Sequence, residues 1–218
     1  GNGGDGTTVA LGEMVVPDAF AFYRLERVGS AGFRVSAAIP ADAGTVRDVN
    51  GVLMSASGTR ANLLVQDPDG RVGFAAQNEA LELVRFTNTL ELTADNATPS
   101  DHVSLHADLT RTADLNFSTL TLDASDNPVT LDLGGYALQN DNAAAGRGIV
   151  IHGSHPVTIR GGRHGAQSVT HVYHHGTGKL SWELTNGANA YVFAGPGFTE
   201  VTRALSNSIH VVEGTVRL

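Results

Sequence analysis

Val129-Thr130-Leu131-Asp132-Leu133-Gly134-Gly135-Tyr136 and Gly148-Ile149-Val150-Ile151-His152-Gly153-Ser154-His155-Pro156-Val157-Thr158-Ile159-Arg160-Gly161-Gly162 decide the fold. Within them apolar and polar residues alternate with the period of two that belongs to extended chain. Leu131, Leu133, Ile149, Ile151, Val157 and Ile159 point to one side, and Thr130, Asp132, Thr158 and Arg160 to the other. Each run is closed by glycine, and Gly135 and Gly162 are expected at corners that need an unusual φ.

Working outward, brief strands recur from about residue 101 onward. They are expected at 120–122, 129–133, 148–151, 157–159, 169–173, 180–184, 190–193, 209–212 and 215–218. Between them stand turn-forming groups such as Asp126-Asn127-Pro128, Gly153-Ser154, Gly176-Thr177-Gly178 and Asn186-Gly187. None of the intervals holds a helix long enough for a βαβ crossover. A stack of triangular coils meets both constraints, each coil pairing in parallel with the coils above and below it.

Toward the N-terminus the pattern is ordinary strand alternation. Strands are expected at 20–25 and 33–37, and a hairpin at 62–65 and 71–74. The hairpin turns on Asp67-Pro68-Asp69-Gly70, where Pro presets φ and Gly takes the left-handed position. The apolar residues of 75–86 suit a helix or a strand, and 83–86 and 89–92 would add two strands to a small antiparallel sheet or sandwich. The chain therefore reads as all-β. A small antiparallel docking domain over 1–98 precedes a short parallel β-helix over 99–218.

Composition narrows the partners. The 218 residues carry a formal charge of −8, and the 14 basic residues are scattered. Phosphate binding wants clustered Lys and Arg, so nucleic acid is not expected as a partner. With no cysteine there is neither a disulfide framework nor a thiolate metal site. No apolar run approaches the ~20 residues of a membrane helix, so membrane insertion is not expected.

The two quoted stretches resemble pectate-lyase-like right-handed parallel β-helix proteins, of the kind found in phage tailspikes, fibres and virion decoration proteins. The likeness is close over the quoted segments and looser over the C-terminal half. The resemblance implies architecture more than activity, because the fold serves lyases, hydrolases, adhesins and tailspikes. It allows about four or five coils at ~20–25 residues each. So short a solenoid is expected to need other chains over its ends, and viral members of this class commonly trimerise.

Three sets of residues are candidates for chemistry. Histidine is abundant, at 9. Among His152, His155, His164, His171, His174 and His175, the sequence His171-Val172-Tyr173-His174-His175 brings imidazoles together, so His171, His174 and His175 are the candidate metal ligands. The competing reading makes them rung and loop residues. For sugar binding, Trp182, Tyr173 and Tyr191 are the candidate aromatic contacts, and packing at a subunit boundary is the alternative. Acids on or near strands are Asp123, Asp126, Asp132 and Asp141, with Arg147 and Arg160 as bases. Arg160 lies about one coil after Asp132, and the simplest reading is a solvated cross-strand pair worth ~0.2–1 kcal/mol. No catalytic set is assigned. Gly-x-Ser-x-Gly, a phosphate loop and His-Glu-x-x-His are all missing from the sequence, and no cofactor is expected.

Three functions follow as expectations. The first is a structural virion component, on the particle or otherwise extracellular: a phage decoration protein, head fibre or tail spike. It would assemble as a homotrimer, attach to capsid or tail proteins and contact cell-surface polysaccharide. The second is a polysaccharide-binding or polysaccharide-degrading β-helix protein. The third is a fragment of a bacterial surface adhesin.

Overall fold

The computed structural model describes residues 23–26, 33–34, 46–55, 61–139, 148–165, 169–185, 190–203 and 208–218. These residues are all-β, and the greater part of them lies in long parallel sheets.

From His102 to Thr185 the chain visits three sheets in rotation, and beyond it the described strands alternate between the first two of them. Thr119–Ala124 belongs to a long sheet, Val129–Asp132 to a second sheet and Ala137–Gln139 to a short third sheet. The next circuit repeats the order with Gly148–Gly153, Val157–Arg160 and Arg163–His164. The one after it runs Val169–His174, Leu180–Trp182 and a parallel bridge from Thr185 to Arg163. Every pairing among these strands is parallel and in register with the previous circuit, such as Leu131 on Ile159 and Ile149 on Val172. This stack is compatible with a β-helix-like fold, although its sheets are not closed on one another.

Register turns the alternation of the sequence into rows. Val103, Leu120, Ile149, Val172 and Phe193 follow one another up the long sheet. Leu109, Leu131, Ile159, Trp182 and Val201 do the same in the second sheet. The rows meet in one continuous apolar core. All six residues expected to face inward lie in it. Of the four expected to face outward, Thr130, Asp132 and Thr158 are partly exposed and Arg160 is exposed. Burying whole aliphatic side chains at ~1.5–3 kcal/mol each is what holds brief strands that would not persist alone.

Several expectations need correcting. The long sheet has seven strands among the described residues, so the stack is taller than four or five coils. The spacing between stacked residues shortens markedly toward the C-terminus, from Leu120–Ile149 to Phe193–Val211. Strands His102–Leu105, Leu109–Thr110 and Leu115–Asn116 make a circuit that the alternation around Asp108 and Asp114 hides. Leu90–Glu91 pairs in parallel with His102–Leu105, and so joins the stack rather than the N-terminal sheet. Gly135 has φ +94°, as expected, but at the next corner Gly161 takes φ +75° in place of Gly162. Gly162 is needed for closeness instead, since a Cβ there would sit 2.2 Å from the Tyr136 carbonyl oxygen.

The N-terminal part forms a five-stranded sheet that lies on the outer face of the long sheet. Its order is Tyr23–Glu26, Leu63–Gln66, Val72–Gln77, Glu82–Arg85, Phe33–Arg34. The Asp67–Gly70 hairpin is present, with Gly70 at φ +86°. Residues 75–86 form strands and a turn, with no helix. The sheet is mixed rather than wholly antiparallel, because Tyr23–Glu26 runs parallel to Leu63–Gln66. The rest of the strands expected at 20–25 and 33–37 lies outside the described residues. A hairpin of Val46–Val49 and Val52–Ser55 completes this layer.

The layer packs Val52, Met54, Leu64, Val72 and Phe74 against Val150, Tyr173 and Ala194 of the long sheet. The seat depends on Gly148, where a Cβ would stand 2.5 Å from the Phe74 ring.

Candidate functional site

The strands of the long sheet place one polar position per circuit along its outer edge, and these positions line up. Asp123 is in register with His152. Leu105 pairs with Leu122, and Ile151 with His174, so His106 and His175 extend the same row on either side. Glu91 borders it on the preceding circuit.

Four of these groups, Glu91, His106, Asp123 and His152, are in contact in sequence. His152 Nδ1 lies 3.3 Å from one Asp123 carboxylate oxygen, and His106 Nδ1 lies 3.5 Å from the other. The Nε2 of His106 is 3.5 Å from Glu91. The backbone N–H of Ser125 donates to Asp123 at 2.9 Å. Exposure grades along the row: the side chains of Glu91 and His106 are 57% and 54% exposed, Asp123 16% and His152 5%.

Electrostatics follow that gradient. Burial pushes the Asp123 carboxyl up, but the Ser125 hydrogen bonds and the two imidazoles outweigh it and hold the group below its usual range. Burial keeps the His152 imidazole below its ordinary value, an effect that Asp123 opposes and Arg85, Arg71 and His106 reinforce. Both Asp123 oxygens face an imidazole, so its carboxylate stands as the central negative charge between His106 at the exposed end and His152 at the buried end. The N-terminal layer borders it with an Arg85–Asp67 ion pair at 2.8 Å.

A second feature lies at the start of the stack. An open cleft of about 410 Å³ is lined by Asn50, Asn88, Thr89, Leu90, Ser100, Asp101 and His102. His102 sits on its wall, tying the layer to the stack. Its Nε2–H donates to the Val49 carbonyl at 3.0 Å, and Nδ1 accepts from the Thr119 hydroxyl at 2.8 Å.

The residues singled out from the sequence fall elsewhere. Trp182, Tyr173 and Tyr191 are fully buried, so none offers a ring to a sugar. Trp182 and Tyr191 meet edge to face at 5.8 Å inside the stack, and Tyr173 meets Phe74 at 6.3 Å under the layer. Large rings fill these positions because the rows of the core need volume there. The metal set does not assemble either. His171 and His174 stand on opposite faces of one strand. His171 stacks on Tyr173 beneath the layer, while His174 points into the core and lies 3.3 Å from the Thr199 hydroxyl. Three positions on a strand reverse the side-chain direction, so these two cannot share an ion with His175. No group of three or more His, Asp or Glu side chains suited to a metal occurs among the described residues.

Asp132 and Arg160 form the cross-strand pair expected, at 3.1 Å with Arg160 about half exposed. Asp126 is an exposed turn residue, and Asp141 and Arg147 lie outside the described residues. Sequence reasoning named Asp123 and His152 separately but missed Glu91 and His106. Aligning Leu120-Thr121-Leu122-Asp123 with Ile149-Val150-Ile151-His152 carries the signal for the central pair.

Set beside known proteins, the chain matches no family model, no curated protein and no solved structure.

Proposed function

We propose that the chain is part of a right-handed parallel β-helix protein that serves as a structural component of a virus particle: a decoration protein, head fibre or tail spike. The right hand follows the handedness of nearly all parallel crossovers. The observation that carries the reading is the uninterrupted inward rows, from Val103 to Phe193 and from Leu109 to Val201. They make a continuous spine held by register from one circuit to the next.

In this reading the protein is a homotrimer on the virion exterior. Its N-terminal layer attaches to capsid or tail proteins, and the stack contacts cell-surface polysaccharide. Exposed Tyr136, Phe198, Val211 and Val212 offer apolar surface for contacts between copies. Sedimentation of the native protein tests the assembly. A trimer that resists heat and detergent is expected, and a clean monomer would overturn the trimeric reading.

A second reading, a polysaccharide-binding or polysaccharide-degrading protein, is favoured by the row Glu91–His106–Asp123–His152. Incubation with pectin-like and capsular polysaccharides, followed for unsaturated products or reducing ends, tests it. The expected result is activity in the parent chain and its loss in Asp123→Asn.

A further inference from the structure

The junction between the N-terminal layer and the stack is unusually rich in histidine. His102, His152, His171 and His175 all lie on the layer side of the long sheet or at its edge, whereas His174 faces the interior. Their partners differ, and the difference carries an inference. The Arg24 guanidinium, on the layer strand Tyr23–Glu26, donates to Nδ1 of His175 at 3.2 Å. That ring nitrogen accepts only while it is unprotonated, because arginine has no acceptor to offer a second N–H. Protonating it breaks the bond and sets two cations face to face. His152, next along the row, faces Arg85 and Arg71 from the layer and Asp123 and His106 from its own sheet. His175 faces Arg24 from the layer and His174 and His152 from the stack.

We infer that the layer is clamped to the flank of the stack through a neutral His175, and that acid opens this clamp while leaving the stack assembled.

Three features support the order of events. The apolar seat beneath the layer is smaller than the core of the stack, with nine buried apolar residues around Phe74, Val150 and Tyr173 against twenty-three in the core. The positive groups at the junction are concentrated on the layer side, where Arg71 and Arg85 are already paired with Asp69 and Asp67. Those acids are thereby engaged, and the carboxylates of the row itself are Asp123, beside His152, and Glu91, at the far end beside His106. His102 behaves differently, because its bond to the Val49 carbonyl, and then Asp101 and Asp48 nearby, partly offset the effect of its burial. Its ring can also donate from both nitrogens, to Val49 and to the Thr119 oxygen, so its tie survives protonation.

Burial first, then Arg24, His174 and His152, lowers the pKa of His175 from 6.5 to about 4. A group held neutral by the closed state stabilises that state fully above its ordinary value. The contribution drains as pH falls from 6.5 toward about 4. The same drain acts on His164 and His174 inside the stack, so the order of opening rests on the stack's far larger apolar core.

The experiment follows two regions of the full chain at once. Trp182 is the single tryptophan and lies in the core of the stack, so its emission reports the stack. Amide exchange of Leu63–Gln66 and Val72–Gln77, with binding of an apolar dye, reports the layer. Between pH 6.5 and 4, exchange in the layer should rise and dye should bind while Trp182 emission stays native. His175→Gln keeps an acceptor for Arg24 and should move this transition at least about half a pH unit lower. Arg24→Gln removes the facing cation and should move it the same way, which keeps the test open if the first variant fails to fold. His102→Gln should move it less than either. Loss of both signals at one pH overturns the inference. So does a transition that neither variant at the Arg24–His175 contact displaces.

Discussion

The stack and the layer on its flank are both made of short strands, but they are held by different kinds of contact. In the stack each residue rests on the one a circuit earlier, so Ile159 lies between Leu131 and Trp182 and the same relation repeats along the core. In the layer the decisive contacts join residues far apart in the chain, such as Arg24 with His175 and His102 with the Val49 carbonyl. Even histidine is used differently. His164 takes an inward position in the row of Leu115 and Leu138, with the Thr170 hydroxyl 3.3 Å from its Nε2 and the Trp182 and Tyr191 rings beside it, whereas His175 meets an arginine from another sheet. Repetition builds a spine that tolerates local losses poorly but needs no long-range specification. The layer's position rests on a few particular side chains.

The sharpest way to break this contrast is to remove one large side chain from each region. Trp182→Ala should cost about 3–5 kcal/mol. Because the layer rests on the stack, urea should then unfold both together at a lower midpoint. Phe74→Ala should lose a similar amount, but amide exchange should show the loss confined to the layer, with Trp182 emission unchanged. If Phe74→Ala destabilises the stack to the same extent, the two regions are one cooperative unit.

That asymmetry also governs how much was legible in the sequence. The rows were readable because Val129–Leu133 and Val157–Ile159 state their period within a few residues. Asp132 facing Arg160 followed from one coil's spacing. The circuit His102–Asn116 was hidden because Asp108, Arg111 and Asp114 interrupt it. Arg111 is buried there, its guanidinium donating to the carbonyls of Thr93, Asn96 and Asp114, a role no local pattern announces. The polar row was half visible, through Asp123 and His152. Glu91 and His106 join it only through register between circuits of unequal length. Trp182, Tyr173 and Tyr191 look alike on paper as contact residues, and burial alone tells that they are packing. The seat of Phe74 on Gly148 depends on sheets that meet from opposite ends of the chain.

A smaller perturbation tests that seat. Gly148→Val places a side chain where the Phe74 ring stands, and overpacking of this kind costs about 1–3 kcal/mol. The loss should appear as faster exchange in Val72–Gln77, with the second sheet of the stack unaffected.

Acid sharpens the comparison from inside the stack. Burial lowers the pKa of His164 from 6.5 to about 3. The unfolded chain therefore binds the extra proton first, so the stack is most stable above 6.5 and loses stability as pH falls toward about 3. His164→Leu continues the row of Leu115 and Leu138 and should shift acid unfolding of the stack, read by Trp182 emission, to lower pH. An unchanged midpoint would mean that His164 is not buried as described. The smallest effect is expected at Arg160→Ala. Its pair with Asp132 is solvated, and urea denaturation should register no more than ~0.2–1 kcal/mol.

Cross-linking tests the parallel register most directly, because the chain has no cysteine of its own. Thr130 and Thr158 are paired on adjacent parallel strands and point outward. Neighbouring strands stand ~4.8 Å apart, within the ~4.4–6.8 Å between Cα atoms that a disulfide spans. The double variant Thr130→Cys with Thr158→Cys should therefore close a disulfide under mild oxidant in the folded protein. Thr130→Cys with Ile159→Cys, whose side chains lie on opposite faces, should not. Absence of the first cross-link, or equal yield of both, would contradict the stacked parallel architecture.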